Sequence, residues 1–261
     1  MSQSCLSPGD PPPFTVHRFD GAAPVLVTCD HASNLVPRAL DRLGLSDDAL
    51  ARHIGWDIGA AQVTRDLAEL LDAPAILAGY SRLVIDCNRE LDDPSSIAET
   101  SDGTAIPGNR DLTAAARAAR RHDIFTPYHA AIADWIAARR AHGTVPVLLA
   151  IHSFTPVMGG TKRPWHVGIL WDNDPRLPLP LLAALRADPA LVVGDNQPYS
   201  ARDPSGYTVE QHAVAAGLPH AAVELRQDLV ANQAGAARWA AILAGALRPI
   251  LAKPELYRQL G

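Results

Sequence analysis

The sequence predicts a three-layer α/β fold in which a mixed, mainly parallel sheet lies between two layers of helices. Strand-like and helix-like segments alternate from Pro24 onward, which is the pattern that helical connections between strands of one sheet produce. Several strand-like segments, such as residues 25–29 and 147–151, are short apolar runs typical of buried strands. The length of 261 residues and the apolar content of 48% are sufficient for one large domain with a sizeable core.

The individual elements follow from apolar periodicity and from turn-forming residues. Strands are predicted at residues 25–29, 75–78, 82–88, 145–151, 166–171, 191–194 and 221–225. Helices are predicted at residues 58–71, 113–142, 179–186, 209–216 and 232–251, with an interruption of the second one near Pro127. Residues 92–111 and 195–207 are rich in turn-forming residues and are expected to be long loops.

The chain is expected to be divided into a leader and one domain. Residues 1–23 are predicted to be a flexible N-terminal leader, since the first 13 residues are polar and proline-rich, and residues 24–261 to form a single α/β hydrolase domain. No signal peptide is expected, because the N-terminus lacks a basic segment followed by an apolar one. No apolar run approaches the roughly 20 residues that a membrane-spanning helix requires. A cytoplasmic location is therefore predicted.

Charge and cysteine content exclude several classes of protein. The net charge is −5 and the basic residues are scattered, so neither a nucleic-acid partner nor a membrane partner is expected. The three cysteines, Cys5, Cys29 and Cys87, are odd in number and far apart. A disulfide framework or a structural zinc knuckle is not expected, and a reducing compartment fits. The oligomeric state is left open.

Three polar clusters follow apolar strands, where open α/β sheets bind their ligands. His31 and His152 come at the ends of two such strands, and Glu224 comes at the end of a third. Two histidines and one carboxylate fit a catalytic metal site that leaves a position open for water. We expect His31, His152 and Asp57 to bind the metal, with Asp30 and Asn34 as alternatives to Asp57. Glu224 is expected to be the general base that takes the proton of the attacking water.

A fourth cluster lies in the segment predicted as a strand at residues 82–88. Alternation with period two places Arg82, Asp86 and Asn88 on one face, which is costly to bury unless these groups pair with each other or contact a ligand. A structural ion pair between Asp86 and an arginine is an equally good interpretation of this pattern. His129 lies beside an apolar helix face, so it either borders the site and contacts substrate or is part of the core.

Other interpretations of the same residues remain open. A single histidine at a strand end is more often a hydrogen-bonding group than a metal ligand. Glu224 shares a face with Arg226 and could form a salt bridge with it. Neither Ser33 nor Ser153 lies in a G-x-S-x-G motif, so a serine hydrolase is weakly supported.

The order and joint presence of six segments resemble the N-formylglutamate amidohydrolase family. The resemblance extends from about residue 24 to about residue 228. Its segments are residues 29–34 (CDHASN), 55–57 (GWD), 81–89 (SRLVIDCNR), 127–129 (PYH), 151–154 (IHSF) and 223–226 (VELR).

This resemblance implies a phosphorylase/hydrolase-like fold similar to that of the zinc carboxypeptidases, with one zinc ion and a glutamate base. In that wider group the first ligand motif is His-x-x-Glu. The matching stretch here ends in Asn34, so Asp57 is the preferred carboxylate ligand. The group holds a substrate carboxylate with an Asn-Arg pair, which Asn88 and Arg89 resemble, and Arg82 matches a residue that polarises the scissile carbonyl.

The implied function is zinc-dependent hydrolysis of a small anionic N-formyl or N-acyl amino acid, such as N-formylglutamate. One alternative is a carboxypeptidase-like or acylase activity on another small amide. A second alternative, from a different functional class, is a non-catalytic binding protein with the same fold. The presence of Glu224 favours an enzyme.

Overall fold

A computed structural model describes residues 4–202 and 206–258 of the chain. Its strands are β1 (Phe14–His17), β2 (Val25–Cys29), β3 (Ala75–Ala78), β4 (Thr100–Ser101), β5 (Thr104–Ala105), β6 (Val147–Phe154), β7 (Val157–Met158), β8 (Thr161–Lys162), β9 (Val167–Leu170), β10 (Val193–Asp195) and β11 (His220–Arg226). Its α-helices are α1 (Asp47–Ala51), α2 (Ala60–Leu71), α3 (Ala114–Arg120), α4 (Thr126–Ala141), α5 (Pro178–Arg186), α6 (Thr208–His212) and α7 (Gln233–Leu251).

Seven strands form one mixed sheet in the order β1-β3-β2-β6-β11-β9-β10. The central strands β3, β2, β6 and β11 are parallel to their neighbours in that run. At the edges, β1 is antiparallel to β3, and β9 is antiparallel to β11 and parallel to β10. The predicted mixed, mainly parallel sheet is therefore confirmed. The short pairs β4–β5 and β7–β8 are hairpins outside this sheet.

Helices cover both faces of the sheet, as the apolar strands require. Every residue of β2 and β6 is buried, and alternate residues belong to two separate cores. Val25 and Val27 pack in the core that contains α2, α5 and α7, whereas Leu26 packs in the core that contains α4. A strand buried on both faces has no polar face, which is why it appears in the sequence as a continuous apolar run. In the described part of the chain, no helix is both long and apolar enough to cross a membrane.

The helical prediction for residues 113–142 is confirmed with one refinement. Helices α3 and α4 are joined by a π-helical turn at Arg121–Phe125, and Pro127 lies in the first turn of α4. Proline is compatible with a first helical turn, because its missing N–H has no helical partner there. Pro127 therefore begins a helix and does not break one.

Residues 1–23 were predicted to be a flexible leader, and this prediction is wrong for most of residues 4–23. Phe14–His17 forms the edge strand β1, and Cys5 is only 6% exposed, with its backbone N–H donating to Asp123 Oδ2 at 2.7 Å. Residues 1–3 lie outside the described residues. β1 lies at the edge of the sheet, where backbone hydrogen bonds to one neighbour hold it and its side chains are little buried. Its sequence therefore needs no apolar run.

The predicted strand at residues 82–88 is also wrong, because this segment is a series of turns. β3, which precedes it, already lies between β1 and β2, so a strand that follows β3 directly cannot pair with it. Its backbone carbonyls are bound by side chains instead. Asn109 Nδ2 donates to Leu83 O at 2.8 Å, and Arg120 Nη1 donates to Val84 O at 2.9 Å.

Candidate active site

A cavity of about 540 Å³ lies where β2 and β6 end and beside β11. His31 follows β2, His152 lies in the last half of β6, and Glu224 lies in β11 directly opposite His152 in the register. Asp57 lies in the turn before α2, where its backbone N–H donates to His31 O at 3.0 Å. All four residues line the cavity, as expected for the carboxyl ends of parallel strands.

Three of these side chains converge on one point. Asp57 Oδ2 lies 3.3 Å from His31 Nδ1 and 3.1 Å from His152 Nδ1, and it also accepts a hydrogen bond from Ser153 N at 3.2 Å. One ligand atom from each of the three residues lies within 4.8 Å of the others, and all three residues are buried. Burial alone would raise the pKa of Asp57, but the charges and hydrogen bonds of the two imidazoles outweigh it and hold that pKa below its usual range.

The opposite ring nitrogen of each histidine is held by a second carboxylate. His31 Nε2 lies 2.7 Å from Asp86 Oδ1, and His152 Nε2 lies 3.1 Å from Asp30 Oδ2. A carboxylate at Nε2 favours a proton on that nitrogen, so Nδ1 is the ring nitrogen that faces Asp57 and is left to bind a metal. Metal-binding histidines usually have this arrangement, in which an outer acceptor fixes the tautomer and the ring orientation.

The geometry separates Asp57 from the two alternative ligands. Asp30 lies on the outer side of His152, and its Oδ1 accepts hydrogen bonds from Tyr128 Oη at 2.7 Å and Thr208 Oγ1 at 2.6 Å. Asn34 does not line the cavity. Two imidazole nitrogens and one carboxylate oxygen are a donor set that suits zinc and related divalent ions. The buried cluster of His31, Asp57 and His152 therefore fits a metal ion.

Glu224 has the environment of a proton acceptor. Its side chain is buried, and Oε2 has no hydrogen-bond partner among the described residues. Burial raises the pKa of Glu224 to about 7. The nearby negative charge of Asp57 also raises this pKa, whereas the charges of His152 and His31 lower it. A carboxyl group that titrates near neutral pH can both accept and return a proton. Arg226 does not pair with Glu224, because its guanidinium binds Asp228 at 2.8 Å.

Arg82 and Asp86 form a tight pair beside the cluster of His31, Asp57 and His152. Arg82 Nη2 and Nε donate to Asp86 Oδ2 at 2.7 and 3.1 Å, and Nη1 lies 3.5 Å from Asp57 Oδ1. Burial raises the pKa of Asp86, but Arg82 and His31 lower it by more, so the net pKa is well below its usual range. Because Asp86 also accepts from Asn88 N at 2.8 Å, its oxygens are occupied by protein groups. It is therefore placed to orient His31 and Arg82, which fits the ion pair with an arginine that the sequence left open as the alternative to a substrate contact.

Arg89 lies on the cavity wall, and its Nη1 donates to Asn88 O at 2.9 Å. In a regular strand, period two would have placed Arg89 on the face opposite Arg82, but this segment is a series of turns. Asn88 also lines the cavity, but its Oδ1 accepts hydrogen bonds from Tyr207 N at 2.7 Å and Thr208 N at 3.0 Å. That side-chain oxygen holds the start of α6.

His129 does not line the cavity, so the structure does not support the substrate contact predicted for it. Its Nε2 donates to Cys87 O at 2.8 Å, and its Nδ1 lies 3.0 Å from His212 Nε2. Burial lowers the pKa of His129 to about 4, so the imidazole is neutral. The apolar face of α4 on which it lies belongs to the core, where Phe125 packs 4.2 Å from its ring.

Sequence reasoning missed several residues of the cavity wall. Tyr199 lies on it, with its hydroxyl 3.0 Å from Arg163 Nη1, and His53 lies on it with Nε2 3.3 Å from Asp102 Oδ2. These residues come from loops. The long loops at 92–111 and 195–207 were predicted, but their composition does not indicate which side chains face inward.

Comparisons with known proteins agree with this geometry. The model of the N-formylglutamate amidohydrolase family matches residues 23–231. The N-formylglutamate deformylase of Pseudomonas aeruginosa is 30% identical over 185 residues, which cover 66% of this chain and 64% of that relative. The chain thus matches slightly less than two thirds of the length of that curated relative.

Two solved structures have the same fold. A gene product of Agrobacterium tumefaciens superposes with a TM-score of 0.92 at 38% sequence identity, covering 96% of this chain and 99% of that one. The N-formylglutamate amidohydrolase from Ralstonia eutropha JMP134 superposes with a TM-score of 0.67 at 19% identity, covering 92% and 97% of the two chains.

Proposed function

This chain belongs to the N-formylglutamate amidohydrolase family, and we propose that it hydrolyses the amide bond of an N-formyl or N-acyl amino acid, such as N-formylglutamate. The observation that carries the proposal is the buried cluster of His31, Asp57 and His152 in one cavity with Glu224. The products are formate, or another acid, and the free amino acid.

Zinc is the proposed cofactor, held by His31 Nδ1, His152 Nδ1 and the carboxylate of Asp57. When bound, the ion supplies a positive charge that acidifies water and polarises a carbonyl group. Asp86 and Asp30 keep the two imidazoles oriented through their Nε2 atoms. These two carboxylates are positioning residues and are not ligands.

Glu224 is the proposed general base. Its unpaired Oε2 accepts a proton from the attacking water, whose oxygen forms the new bond to the carbonyl carbon. The carboxyl group then gives that proton to the leaving nitrogen as the C–N bond breaks. A group with a pKa near 7 performs both transfers without a large energetic cost.

Two arginines have separate proposed roles. Arg82 has Nη1 directed toward Asp57, next to the cluster, and is placed to stabilise negative charge that develops on the carbonyl oxygen. Arg89 binds the α-carboxylate of the substrate, because a guanidinium matches a carboxylate with two parallel hydrogen bonds. Asn88 supports this site by holding the backbone of Tyr207 and Thr208.

The proposed compartment is the cytoplasm. All three cysteines are unpaired and buried, which is consistent with a reducing environment.

The proposal is tested by measuring metal content and formate release with a panel of N-formyl amino acids. The purified protein is expected to hold about one divalent ion per chain, and His31→Ala and His152→Ala should each lose most of it. N-acetyl amino acids and dipeptides in the same panel distinguish an acylase or a carboxypeptidase-like enzyme. Binding of N-formyl amino acids without turnover by the metal-loaded protein would support the non-catalytic alternative, and full metal in both variants would place the site elsewhere.

A further inference from the structure

Two hydroxyl groups on the cavity wall, those of Thr155 and Tyr199, contact the guanidinium group of Arg163. We infer that these three residues form the subsite that binds the side-chain carboxylate of the substrate, so that the enzyme selects dicarboxylic N-formyl amino acids such as N-formylglutamate. The inference rests on the proposed function, which assigns the α-carboxylate and leaves the second carboxylate of such a substrate without a binding site.

The β7–β8 hairpin brings Thr155 and Arg163 together. Thr155 follows β6 directly, and Arg163 follows β8. The backbone N–H of Arg163 donates to Pro156 O at 2.8 Å, and Gly159 and Gly160 form the turn between the two strands with positive φ values of 54° and 78°. The hairpin therefore holds the start of the Arg163 side chain beside the end of β6, at the cavity.

Arg163 lies against the ring of Tyr199, with Cζ 4.9 Å from the ring centroid. Its Nη1 donates to Tyr199 Oη at 3.0 Å and to Thr155 Oγ1 at 3.4 Å, so each hydroxyl oxygen accepts from the guanidinium and can donate its own proton to a third group. Within the described residues, neither hydroxyl has an acceptor, Nε and Nη2 of Arg163 have no acceptor, and no carboxylate pairs with Arg163. Unused donors around a guanidinium without a carboxylate partner are the composition of an anion-binding site.

These donors lie close to the reacting groups. Burial raises the pKa of Tyr199, and the negative charges of Glu224 and Asp57 raise it further. Burial lowers the pKa of His53, another residue of the wall, and the positive charge of Arg163 acts in the same direction. Because such effects weaken with distance, they indicate that one substrate can reach both the catalytic groups and the subsite. A carboxylate that accepts from either hydroxyl lies within about 6 Å of Arg163 Nη1, where attraction in a partly buried cavity is strong.

The loop that carries Tyr199 contributes a second guanidinium group. It belongs to Arg202, whose Cζ lies 5.5 Å from the ring centroid of Trp171, a residue of the cavity wall. Arg163 and Arg202 together attract a second substrate carboxylate to this part of the wall.

Acidic groups line other parts of the wall. Those outside the cluster of proposed ligands and its surroundings belong to Asp102, Asp172 and Glu210. Asp102 is paired with Arg52 at 3.2 Å, and none of these three described acids forms an ion pair with Arg163. Because like charges repel each other in a low-dielectric cavity, the acids disfavour a second carboxylate near them. The substrate side chain is thereby directed to the guanidinium group of Arg163.

The test compares N-formylglutamate with N-formylglutamine, which have nearly the same shape and differ by one negative charge. With metal-loaded enzyme, kcat/KM is expected to be at least about tenfold higher for N-formylglutamate, because only the carboxylate forms charged hydrogen bonds with the guanidinium. Equal or better turnover of N-formylglutamine overturns the inference and leaves the proposed function intact. No turnover of any N-formyl amino acid overturns both.

Variants identify the residues that bind the second carboxylate. Arg163→Gln should lower kcat/KM for N-formylglutamate at least about tenfold and that for N-formylglutamine much less, so that the ratio of the two falls toward one. Tyr199→Phe keeps the ring but removes one donor, and should lower the ratio about threefold. Arg140→Gln, on the exposed surface of α4, removes one positive charge outside the cavity and should leave the ratio unchanged. Equal losses on both substrates in Arg163→Gln would assign that residue a structural role, and an unchanged ratio would place the second carboxylate elsewhere; either result contradicts the inference.

Discussion

Replacing Glu224 by glutamine should reduce activity and increase stability at the same time. The substitution keeps the shape of the side chain but removes the group that accepts the proton. General acid–base catalysis is typically worth about 10²–10⁴-fold in rate, so kcat of Glu224→Gln should fall by roughly that factor. Metal content should remain close to that of the parent, because Glu224 is not among the three grouped ligands.

The stability gain follows from the pKa of Glu224. Burial raises this pKa from 4.5 to about 7, so the folded protein holds a proton that the unfolded chain releases between these pH values. The contribution of Glu224 to the free energy of unfolding therefore decreases as pH rises from 4.5 to 7, by roughly 3 kcal/mol at 1.36 kcal/mol per pH unit. Glutamine carries no such cost. Glu224→Gln should thus be more stable than the parent by up to about 3 kcal/mol at pH 8, and equally stable at pH 4.

The assay combines formate release with urea unfolding of chelator-treated protein at pH 4 and pH 8. Glu255→Gln, at an exposed position near the C-terminus, is the matched control and should change neither quantity. Turnover within a few-fold of the parent would refute the role of general base. A variant that is less stable than the parent at pH 8 would instead show that the carboxylate has a structural partner.

Three further predictions concern the metal, the substrate and the folded state. Asp57→Ala should lose most of the metal measured by elemental analysis, whereas Asn34→Ala should retain it; the opposite result would reverse the ligand assignment. Arg89→Lys should remove most of the preference for an N-formyl amino acid over its methyl ester, since an ammonium cannot form the bidentate pair, and equal rates on acid and ester in the parent would exclude a carboxylate site. The contribution of His129 to the unfolding free energy should fall by up to about 3 kcal/mol as pH drops from 6.5 toward 4, opposite in sign to that of Glu224, because the unfolded chain binds a proton that His129, with its pKa lowered to about 4, excludes. In urea titrations the parent should therefore lose up to that much stability relative to His129→Gln over this range, and a constant difference between the two proteins would contradict the prediction.

Errors in the sequence-based prediction occurred where local pattern and tertiary position disagree. Residues 82–88 alternate like a strand, yet the preceding strand β3 already has a neighbour on each side, and Asn109 and Arg120 bind the carbonyls of Leu83 and Val84. Arg82 and Asp86 nevertheless reach the cavity, through turns and not through a shared strand face. The predicted grouping of these two residues was therefore correct, and the geometric reason for it was wrong.

The sequence by itself determined the fold class, the buried strands and the candidate metal ligands. Buried strands such as Val25–Cys29 have a local signature, and polar residues that follow them must lie at the ligand-binding edge of a parallel sheet. Only the tertiary structure decided which aspartate faces the Nδ1 atoms of the two histidines and which ones hold their Nε2 atoms. Asp30, Asp57 and Asp86 come from three separate polar segments of the chain; Asp57 faces both Nδ1 atoms, whereas Asp86 faces Nε2 of His31 and Asp30 faces Nε2 of His152. That difference depends on ring orientation across separate strands and loops, which no local pattern specifies.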